Sequence, residues 1–363
     1  MDKKILIICP YPVNVAPGQR LKYEQYFDSW RGQGYTITPS PFMSLHFWNI
    51  VYRKGFTLKK IFWTLVGYFK RLIDLYRAPF HDITYVCLWG TPFGTPFYEF
   101  LLRKFSKRLI YDIDDMIFLG HSSEANRSWM IFKGRSKMIY LMKKSDHVIT
   151  CTPKLDEYVK QYNKKTTDIS STVDTTNRYV PVNSYQNDHQ IVLGWSGSHS
   201  TSKYLYLLSE VLQALSAKFD FKLVVMGDRS FHIPGVNIEA IDWAEKDEIT
   251  TLKRFDIGLY PLPNEEWVLG KSGLKAIQYM ALGIPTAAAA IGANYRIIEN
   301  NENGFLLNIG DAKVWESTLS ALIEDPGLRK RIGTNARKTI IQKYSVDSRK
   351  GEYIAILNTV LSQ

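Results

Sequence analysis

The chain has 363 residues, 45% hydrophobic and 22% charged, so it is globular and long enough for two domains. Its three cysteines give no disulfide framework, which suits a reducing cytosol. No pair of Cys and His residues has the spacing of a metal site. No apolar run approaches the ~20 residues of a membrane-spanning helix. The whole net charge of +11 lies in residues 1–150, which hold 22 Lys and Arg against 11 Asp and Glu. We therefore expect an anionic partner for that part: a membrane surface, a nucleic acid or an acidic glycan.

The first part of the chain has the strand and helix alternation of a parallel α/β domain. Strands are predicted at 5–9, 35–39, 83–88, 109–113 and 147–151. The apolar run at 5–9 is too short for a signal peptide and is expected to be the first strand. The loop after it brings Gly18 and Arg20 to the strand's carboxyl end, where open α/β sheets bind ligands. A helix is predicted over 20–32.

Residues 57–77 are predicted to form an amphipathic helix, because apolar side chains recur at helical spacing. The apolar set is Leu58, Ile61, Phe62, Leu65, Phe69, Leu72, Ile73 and Tyr76, and the basic set is Lys59, Lys60, Lys70, Arg71 and Arg77. Such a helix could rest on an anionic bilayer, or it could pack on the core by its apolar face. We expect the apolar stripe to pack on the core and the surrounding basic surplus to face a membrane.

Three carboxylates, Asp112, Asp114 and Asp115, follow each other at the end of the strand at 109–113. Crowded carboxylates are costly unless they are solvated or bonded. They could bind a metal, act as acid and base, or hydrogen-bond sugar hydroxyls, and capping of the next helix is the structural alternative, above all for Asp115.

A polar stretch at 163–189 precedes a second series of strands, predicted at 190–195, 223–226, 236–241, 256–260 and 286–290. Two such series indicate two doubly wound domains. Loops rich in small polar residues follow these strands, and their backbone N–H groups and hydroxyls can wrap an anion. The candidates are Ser196, Gly197, Ser198 and Thr201 after the first strand, Gly227 and Asp228 after the second, and Trp243, a stacking partner for a base, after the third. No Gly-x-Gly-x-x-Gly motif occurs at 5–20 or 194–201, which argues against a nicotinamide dehydrogenase.

The stretch 270–285 contains a glycine-rich turn with Lys271 that opens a short helix, closed by Gly283 and Pro285. A helix N-terminus beside a lysine is an anion site, so a phosphate-bearing ligand is one interpretation. A solvated lysine turn on an ordinary helix is the other. A nucleoside-triphosphatase phosphate loop is excluded because Glu265 stands where that motif needs glycine.

The runs 256–263 and 270–285, with Gly292, Asn294 and the 303–307 segment, resemble the donor site of family 4 retaining glycosyltransferases. Residues 16–20 and 111–115 are similar to a subgroup of that family. The resemblance implies the GT-B fold: two Rossmann-like domains facing across a cleft, with a C-terminal helix that crosses back to the first domain. It implies an acceptor domain at 1–165, a linker at 166–187, a nucleotide-sugar domain at 188–343 and a returning helix at 344–363.

The chain departs from the family's two-glutamate donor motif, because Gly270 and Gln278 occupy the places of the two glutamates. The resemblance implies Lys271, Asp114 and Asp115 as catalytic residues, with Lys271 and Lys275 in place of the usual diphosphate clamp. The further donor-binding residues that it implies are Gly18, Arg20, Ser196, Gly197, Ser198, Thr201, Gly227, Asp228, Trp243, Glu266, Gly270, Ser272, Gly273, Lys275 and Gln278. No metal and no cofactor are expected.

The implied activity is retaining, metal-independent transfer of a sugar from a nucleoside diphosphate sugar to a lipid-linked or growing-glycan acceptor. We expect a cytoplasmic protein, peripheral at the inner face of the membrane, with an anionic membrane surface as partner and no nucleic acid. The alternatives are a nucleotide-sugar 2-epimerase of the same fold and a non-catalytic basic nucleic-acid-binding protein. The neutral second half and the lack of a basic groove motif argue against the last.

Overall fold

The computed structural model describes residues 3–51, 53, 55–116, 134–181 and 190–363. The chain forms two compact units, one of Met1–Ser171 with Arg349–Gln363 and one of Thr172–Ser348. Each unit has a six-stranded sheet whose neighbouring strands all pair in parallel. The α/β fold class predicted from the sequence is confirmed.

The sheet of the first unit has the order β2-β1-β3-β4-β5-β6. Its strands are β1 (Lys3–Cys9), β2 (Tyr35–Pro41), β3 (Ile83–Cys87), β4 (Leu109–Asp112), β5 (His147–Thr150) and β6 (Thr166–Asp168). The strand order reverses between β1 and β3, so the loops after these two strands border the crevice at which such sheets bind ligands.

The sheet of the second unit has the order β12-β11-β10-β7-β8-β9. Its strands are β7 (Ile191–Ser196), β8 (Phe221–Met226), β9 (Ile238–Ile241), β10 (Ile257–Tyr260), β11 (Thr286–Ala289) and β12 (Phe305–Leu307). Here the order reverses between β7 and β10. Trp195 and Trp315 are buried in the core that covers this sheet.

Helices cover the sheets between these strands. Numbered over the described residues, they are α1 (Pro17–Arg20), α2 (Phe27–Gly32), α3 (Leu45–Val51), α4 (Thr57–Arg77), α5 (Phe97–Phe105), α6 (Arg135–Lys144), α7 (Pro153–Lys160), α8 (Ser209–Ser216), α9 (Glu248–Leu252), α10 (Leu274–Ala281), α11 (Asn294–Ile297), α12 (Ala312–Glu324), α13 (Pro326–Lys343) and α14 (Val346–Leu361). None of the helices in the described ranges combines the length and the hydropathy that crossing a membrane requires.

The ten predicted strands are present with bounds shifted by one to two residues. Strands β6 and β12 were not predicted, and β6 lies in the stretch interpreted as polar linker. Both lie at sheet edges and have only three residues, β6 polar and β12 apolar, so neither has an apolar run of the usual strand length. The domain bounds drawn from the sequence stay predictions.

The continuous helix predicted over 20–32 is wrong. The chain instead forms α1, a 3₁₀ turn at Glu24–Tyr26, and α2. The carboxylate of Glu24 accepts hydrogen bonds from the Asn14 backbone at 2.8 Å and the Gln19 side chain at 2.6 Å. These contacts bind the turn to the preceding loop, which a helix pattern alone does not reveal.

Helix α4 forms where it was predicted, but the expectation that its apolar stripe packs on the core is wrong. The stripe is exposed: 82% of Leu58, 63% of Leu65 and 72% of Tyr76. The buried residues of this helix are Gly67, Arg71 and Asp74. Arg71 and Asp74 can be buried because they pair with each other at 2.8 Å. Arg71 also donates to nearby backbone oxygens, and Asp74 accepts a hydrogen bond from the Ser40 hydroxyl at 2.9 Å.

Helix α14 buries one face, which includes Tyr353, Ile356 and Val360. Tyr353 lies against the ring of Tyr26 at 4.5 Å between centroids. Its hydroxyl donates to the backbone oxygen of Lys22 at 3.2 Å. The end of this helix is therefore part of the first unit.

Candidate functional site

The loops that follow β7 and β8 meet at the carboxyl edge of the second sheet. A Cβ atom on Gly227 would lie 2.1 Å from the backbone oxygen of Gly197, and Gly227 has a φ of +114°. A Cβ on Gly197 would lie 2.2 Å from the Trp195 ring. Both positions require glycine, because a side chain would collide with the Gly197 backbone at one position and with the Trp195 ring at the other.

Hydroxyl groups crowd the loop after β7. The backbone N–H of Ser196 donates to the Tyr279 hydroxyl at 2.7 Å, and the Ser196 Oγ lies 2.9 Å from the same oxygen. The backbone N–H of Ser198 donates to Thr201 Oγ1 at 3.1 Å, and Thr201 in turn bonds back to the Ser198 carbonyl. The loop is thus a turn stabilised by its own hydroxyls, with Ser198 on its exposed side.

Asp228 ties this turn to the loop after β8. Its carboxylate accepts hydrogen bonds from Ser202 at 2.5 Å and Ser230 at 2.6 Å, and lies 3.1 Å from His199 Nδ1. Burial raises the pKa of Asp228, but these donors together hold it well below its ordinary value. The contacts place Asp228 beneath the turn as an ionised support.

Lys271 lies in the turn before α10, on the other side of the strand-order reversal. Its ammonium lies 5.4 Å from the centroid of the Trp267 ring. The helix begins after Gly273, which has a φ of +75° and whose Cβ would lie 2.3 Å from Ile297. No side chain in the described residues caps this helix start. Its first N–H groups therefore add to the positive potential beside Lys271.

Lys275 lies one turn further along α10, within an aromatic cage. Its ammonium is 5.3 Å from the ring centroids of both Trp195 and Tyr260. Burial, with a smaller contribution from the charge of Lys271, lowers the pKa of Lys275 to about 8. The two lysines form a concentrated positive site at the edge of the sheet.

An aromatic contact joins the two loops that carry these groups. The rings of Tyr204 and Trp267 lie 5.5 Å apart between centroids. Lys203 lies over Tyr204 at 5.1 Å, as Lys271 lies over Trp267. The sequence motifs at 194–201 and 270–275 therefore belong to one edge of one sheet, as the strand order requires.

The other predicted donor residues occupy varied positions. Gln278 is buried, and its amide donates to the Tyr179 hydroxyl at 2.7 Å and to Glu248 at 3.2 Å. Gly270 is buried, Ser272 and Trp243 are half-buried, and Glu266 is exposed. Their assignment to the donor stays a prediction, and the amide of Gln278 already serves the packing of α10.

In the first unit, Gly18 and Asp114 meet at the carboxyl edge of the sheet. A Cβ atom on Gly18 would lie 2.9 Å from the Asp114 carboxylate. The Asp114 carbonyl accepts a hydrogen bond from Cys151 at 2.9 Å. Arg20 is buried, whereas Asp114 and Asp115 are half-exposed. A helix that Asp115 could cap would begin beyond residue 116, outside the described residues.

The first of the three aspartates is separated from the other two by burial. Asp112 lies 3.7 Å from the Lys22 ammonium, with both side chains 1% exposed, and it accepts a hydrogen bond from Tyr85. Burial raises the pKa of Asp112, against the opposing effect of Lys22. Sequence reasoning missed Lys22 and Tyr85, because they lie far from Asp112 in the chain. Within the described ranges, no three His, Cys, Asp or Glu side chains are grouped to hold a metal.

Residues 190–325 match the family described as glycosyl transferases group 1. This segment contains the hydroxyl turn, Asp228 and both lysines.

A similar curated protein is the capsular polysaccharide biosynthesis glycosyltransferase CapM of Staphylococcus aureus, 25% identical over 189 residues, with 49% of this chain and 48% of that protein covered. The chain spans less than half the length of the curated relatives that it matches.

Solved structures resemble the chain over nearly its whole length. A glycosyltransferase from Rickettsia africae has a TM-score of 0.70 and 17% identity, with 99% of each chain covered. Anabaena Alr3699/HepE in complex with UDP-glucose has a TM-score of 0.67 and 15% identity, with 98% of this chain and 99% of that chain covered. These likenesses show the GT-B fold.

Proposed function

We propose that this protein transfers a sugar, with retention, from a nucleoside diphosphate sugar to a lipid-linked or growing-glycan acceptor. The observation that carries the proposal is the pair Lys271 and Lys275 at the strand-order reversal of a sheet that matches glycosyl transferases group 1. Support for the donor class comes from the UDP-glucose named for the Anabaena structure, and for the acceptor class from the capsular polysaccharide relative.

The chemistry of such a transfer requires stabilisation of the leaving group. As the bond between sugar and diphosphate stretches, negative charge builds up on the diphosphate, and fixed cations and N–H dipoles lower that barrier. Lys271 supplies a cation, the start of α10 supplies N–H groups, and the hydroxyls of 196–201 supply further donors. This set needs no metal ion, so we propose metal-independent transfer.

We assign the acceptor to the domain at 1–165 and the donor to the domain at 188–343. Asp114 and Asp115 lie at the carboxyl edge of the first sheet, where a sugar hydroxyl can be hydrogen-bonded. The excess positive charge of residues 1–150 favours an anionic membrane surface, from which a lipid-linked acceptor is reached. The protein is then peripheral at the cytoplasmic face of the membrane.

The test is a panel of nucleoside diphosphate sugars in calorimetry and thermal-shift assays, in buffer with a metal chelator. One donor should bind, and at 100 times its Kd it should stabilise the unit that binds it by about 2.7 kcal/mol. The matching nucleoside monophosphate sugar, which lacks one phosphate, is the control and should bind more weakly. Binding of no donor would contradict the proposal, and release of an epimerised sugar without an acceptor would favour the 2-epimerase.

A further inference from the structure

The apolar side chains of α4 form a continuous exposed face on the first unit. Its members Leu58, Ile61, Phe62, Leu65, Phe69, Leu72 and Tyr76 are between 53% and 82% exposed. At 100° per residue they fall within one third of the helix circumference. An apolar face of this size on the surface marks a site of contact with a partner or a membrane.

The opposite face of α4 binds the helix firmly to its unit. The Arg71 guanidinium donates to the backbone oxygens of Cys9 at 2.8 Å, Ser40 at 3.0 Å and Gly90 at 2.6 Å. Cys9 and Ser40 lie at the carboxyl ends of β1 and β2, and Gly90 lies in the loop after β3. A side chain on Gly67 would collide with the Phe42 ring. The polar face is therefore the inner face, and the helix cannot rotate to bury its apolar face without losing these contacts.

Positive charge borders the exposed face. Lys59 and Arg77 are exposed. They are five helical turns apart, so they project from the same side of the helix, along one edge of the apolar stripe. Residues 53–108 hold eleven Lys and Arg against three Asp and Glu. Helix α5, which packs beside α4, exposes Phe97, Phe100 and Phe105 as well.

We propose that the apolar face of α4 inserts into the interfacial region of an anionic lipid bilayer, with Lys59 and Arg77 at the lipid head groups. An apolar face bordered by lysine and arginine is the pattern of helices that lie in a membrane interface. A second copy of the chain fits the charge less well, because a self-interface would bring these basic borders together. The inference deepens the proposed function, since it names the surface through which the acceptor domain reaches a lipid-linked acceptor.

The test measures binding of the full chain to phosphatidylcholine vesicles with and without phosphatidylglycerol, by co-sedimentation at low and high salt. The triple variant Leu65→Gln, Phe69→Gln, Leu72→Gln should lower the partition coefficient by about tenfold or more at either salt concentration, because insertion is hydrophobic. The matched control is Leu207→Gln, Val314→Gln, Ile341→Gln, which removes three exposed apolar side chains from the second unit. It should bind vesicles like the unmodified protein.

The charge border is tested separately with Lys59→Gln, Arg77→Gln. This variant should lose binding to anionic vesicles at low salt, where electrostatic attraction is least screened. Far-UV circular dichroism and nucleotide-sugar binding should be unchanged in all variants, which separates failure of this inference from failure of the proposed function. Undiminished vesicle binding by the α4 triple variant, or no binding by the unmodified protein, would overturn the proposal. A dimer in sedimentation velocity that the triple variant dissociates, with vesicle binding intact, would assign the face to a second copy.

Discussion

Lys271 and Lys275 lie one helical turn apart and have different surroundings. Lys271 stands in a turn beside one ring, that of Trp267, and is half-exposed. Lys275 is held between Trp195 and Tyr260. Lys271 can therefore move towards negative charge as it develops on a bound ligand. Lys275 is held in one position and contributes a constant positive potential there.

Replacement of Lys271 by alanine is expected to lower the turnover number by about 10²–10³, the usual loss when one charge-stabilising donor is removed. The melting temperature should remain nearly the same, since an accessible lysine contributes little to folding. Steady-state kinetics and a thermal melt measure the two effects. Lys313→Ala, an exposed lysine on α12, is the control and should keep full activity. If Lys271→Ala keeps nearly full activity, the diphosphate must instead be bound by the 194–201 loop.

The lowered pKa of Lys275 predicts a pH dependence of donor binding. A bound diphosphate favours the charged ammonium, so binding takes up a proton once the pH exceeds about 8. The donor Kd should then rise by up to about tenfold per pH unit above this value. The pH dependence of folding stability has the opposite sign. The pKa of Lys275 is lower in the folded protein than in the unfolded chain, so the free energy of unfolding increases as the pH rises from about 8 towards 10.5.

Calorimetry in two buffers of different ionisation enthalpy measures this proton uptake. Lys275→Met keeps the length of the side chain but cannot titrate, and its donor Kd should be flat over the same pH range. A Kd of the unmodified protein that does not change above about pH 8 would show that the diphosphate lies away from Lys275.

At the scale of elements, α4 demonstrates that amphipathicity predicts a helix but not which face is inside. The hydrophobic pattern gave the correct helix, and its apolar face was assigned to the core by default. The polar stripe of Gly67, Arg71 and Asp74, at i, i+4 and i+7, was an available signal. Its meaning depends on the fold, because β1, β2 and the loop after β3 place three carbonyl oxygens within reach of the Arg71 guanidinium.

Arg71→Met is expected to destabilise the first unit by about 3–5 kcal/mol, because it leaves Asp74 buried without its cation. Chemical denaturation followed by a probe in the first unit measures the loss. Lys59→Met, an exposed position on the same helix, should change stability by less than about 0.5 kcal/mol. The double variant Arg71→Met, Asp74→Leu should recover part of the loss. Equal stabilities of Arg71→Met and the unmodified protein would mean that the buried pair does not hold α4.

At the scale of the whole molecule, the excess positive charge and the segment that matches a glycosyl transferase family lie in different units. The positive excess lies in residues 1–150, whereas the segment that matches glycosyl transferases group 1 lies at 190–325. Two kinds of ligand, a lipid surface and a nucleotide sugar, are therefore expected to act on different parts of the chain.

Hydrogen exchange with mass spectrometry should separate these two effects. A bound nucleotide sugar should slow amide exchange in the loops at 196–202 and 270–274 and leave α4 unchanged, because ligands protect the groups that they contact. Anionic vesicles should slow exchange in α4 and leave those loops unchanged. If vesicles slow amide exchange mainly in the second unit, the assignment of the lipid surface to the first unit is wrong.

The sequence by itself determined the two-sheet α/β fold, ten of the twelve strands in the described ranges, and the lysine turn at a helix start. These follow from local patterns: apolar runs, helical periodicity, and glycine and proline signals at element ends. Tertiary structure decided the rest. The cage around Lys275 and the ion pair of Lys22 with Asp112 join residues distant in the chain. The outward direction of the apolar face of α4 likewise depends on the contacts of Arg71 with Cys9, Ser40 and Gly90. Strand order and packing bring such residues together, and no local pattern encodes which face or which partner a side chain will meet.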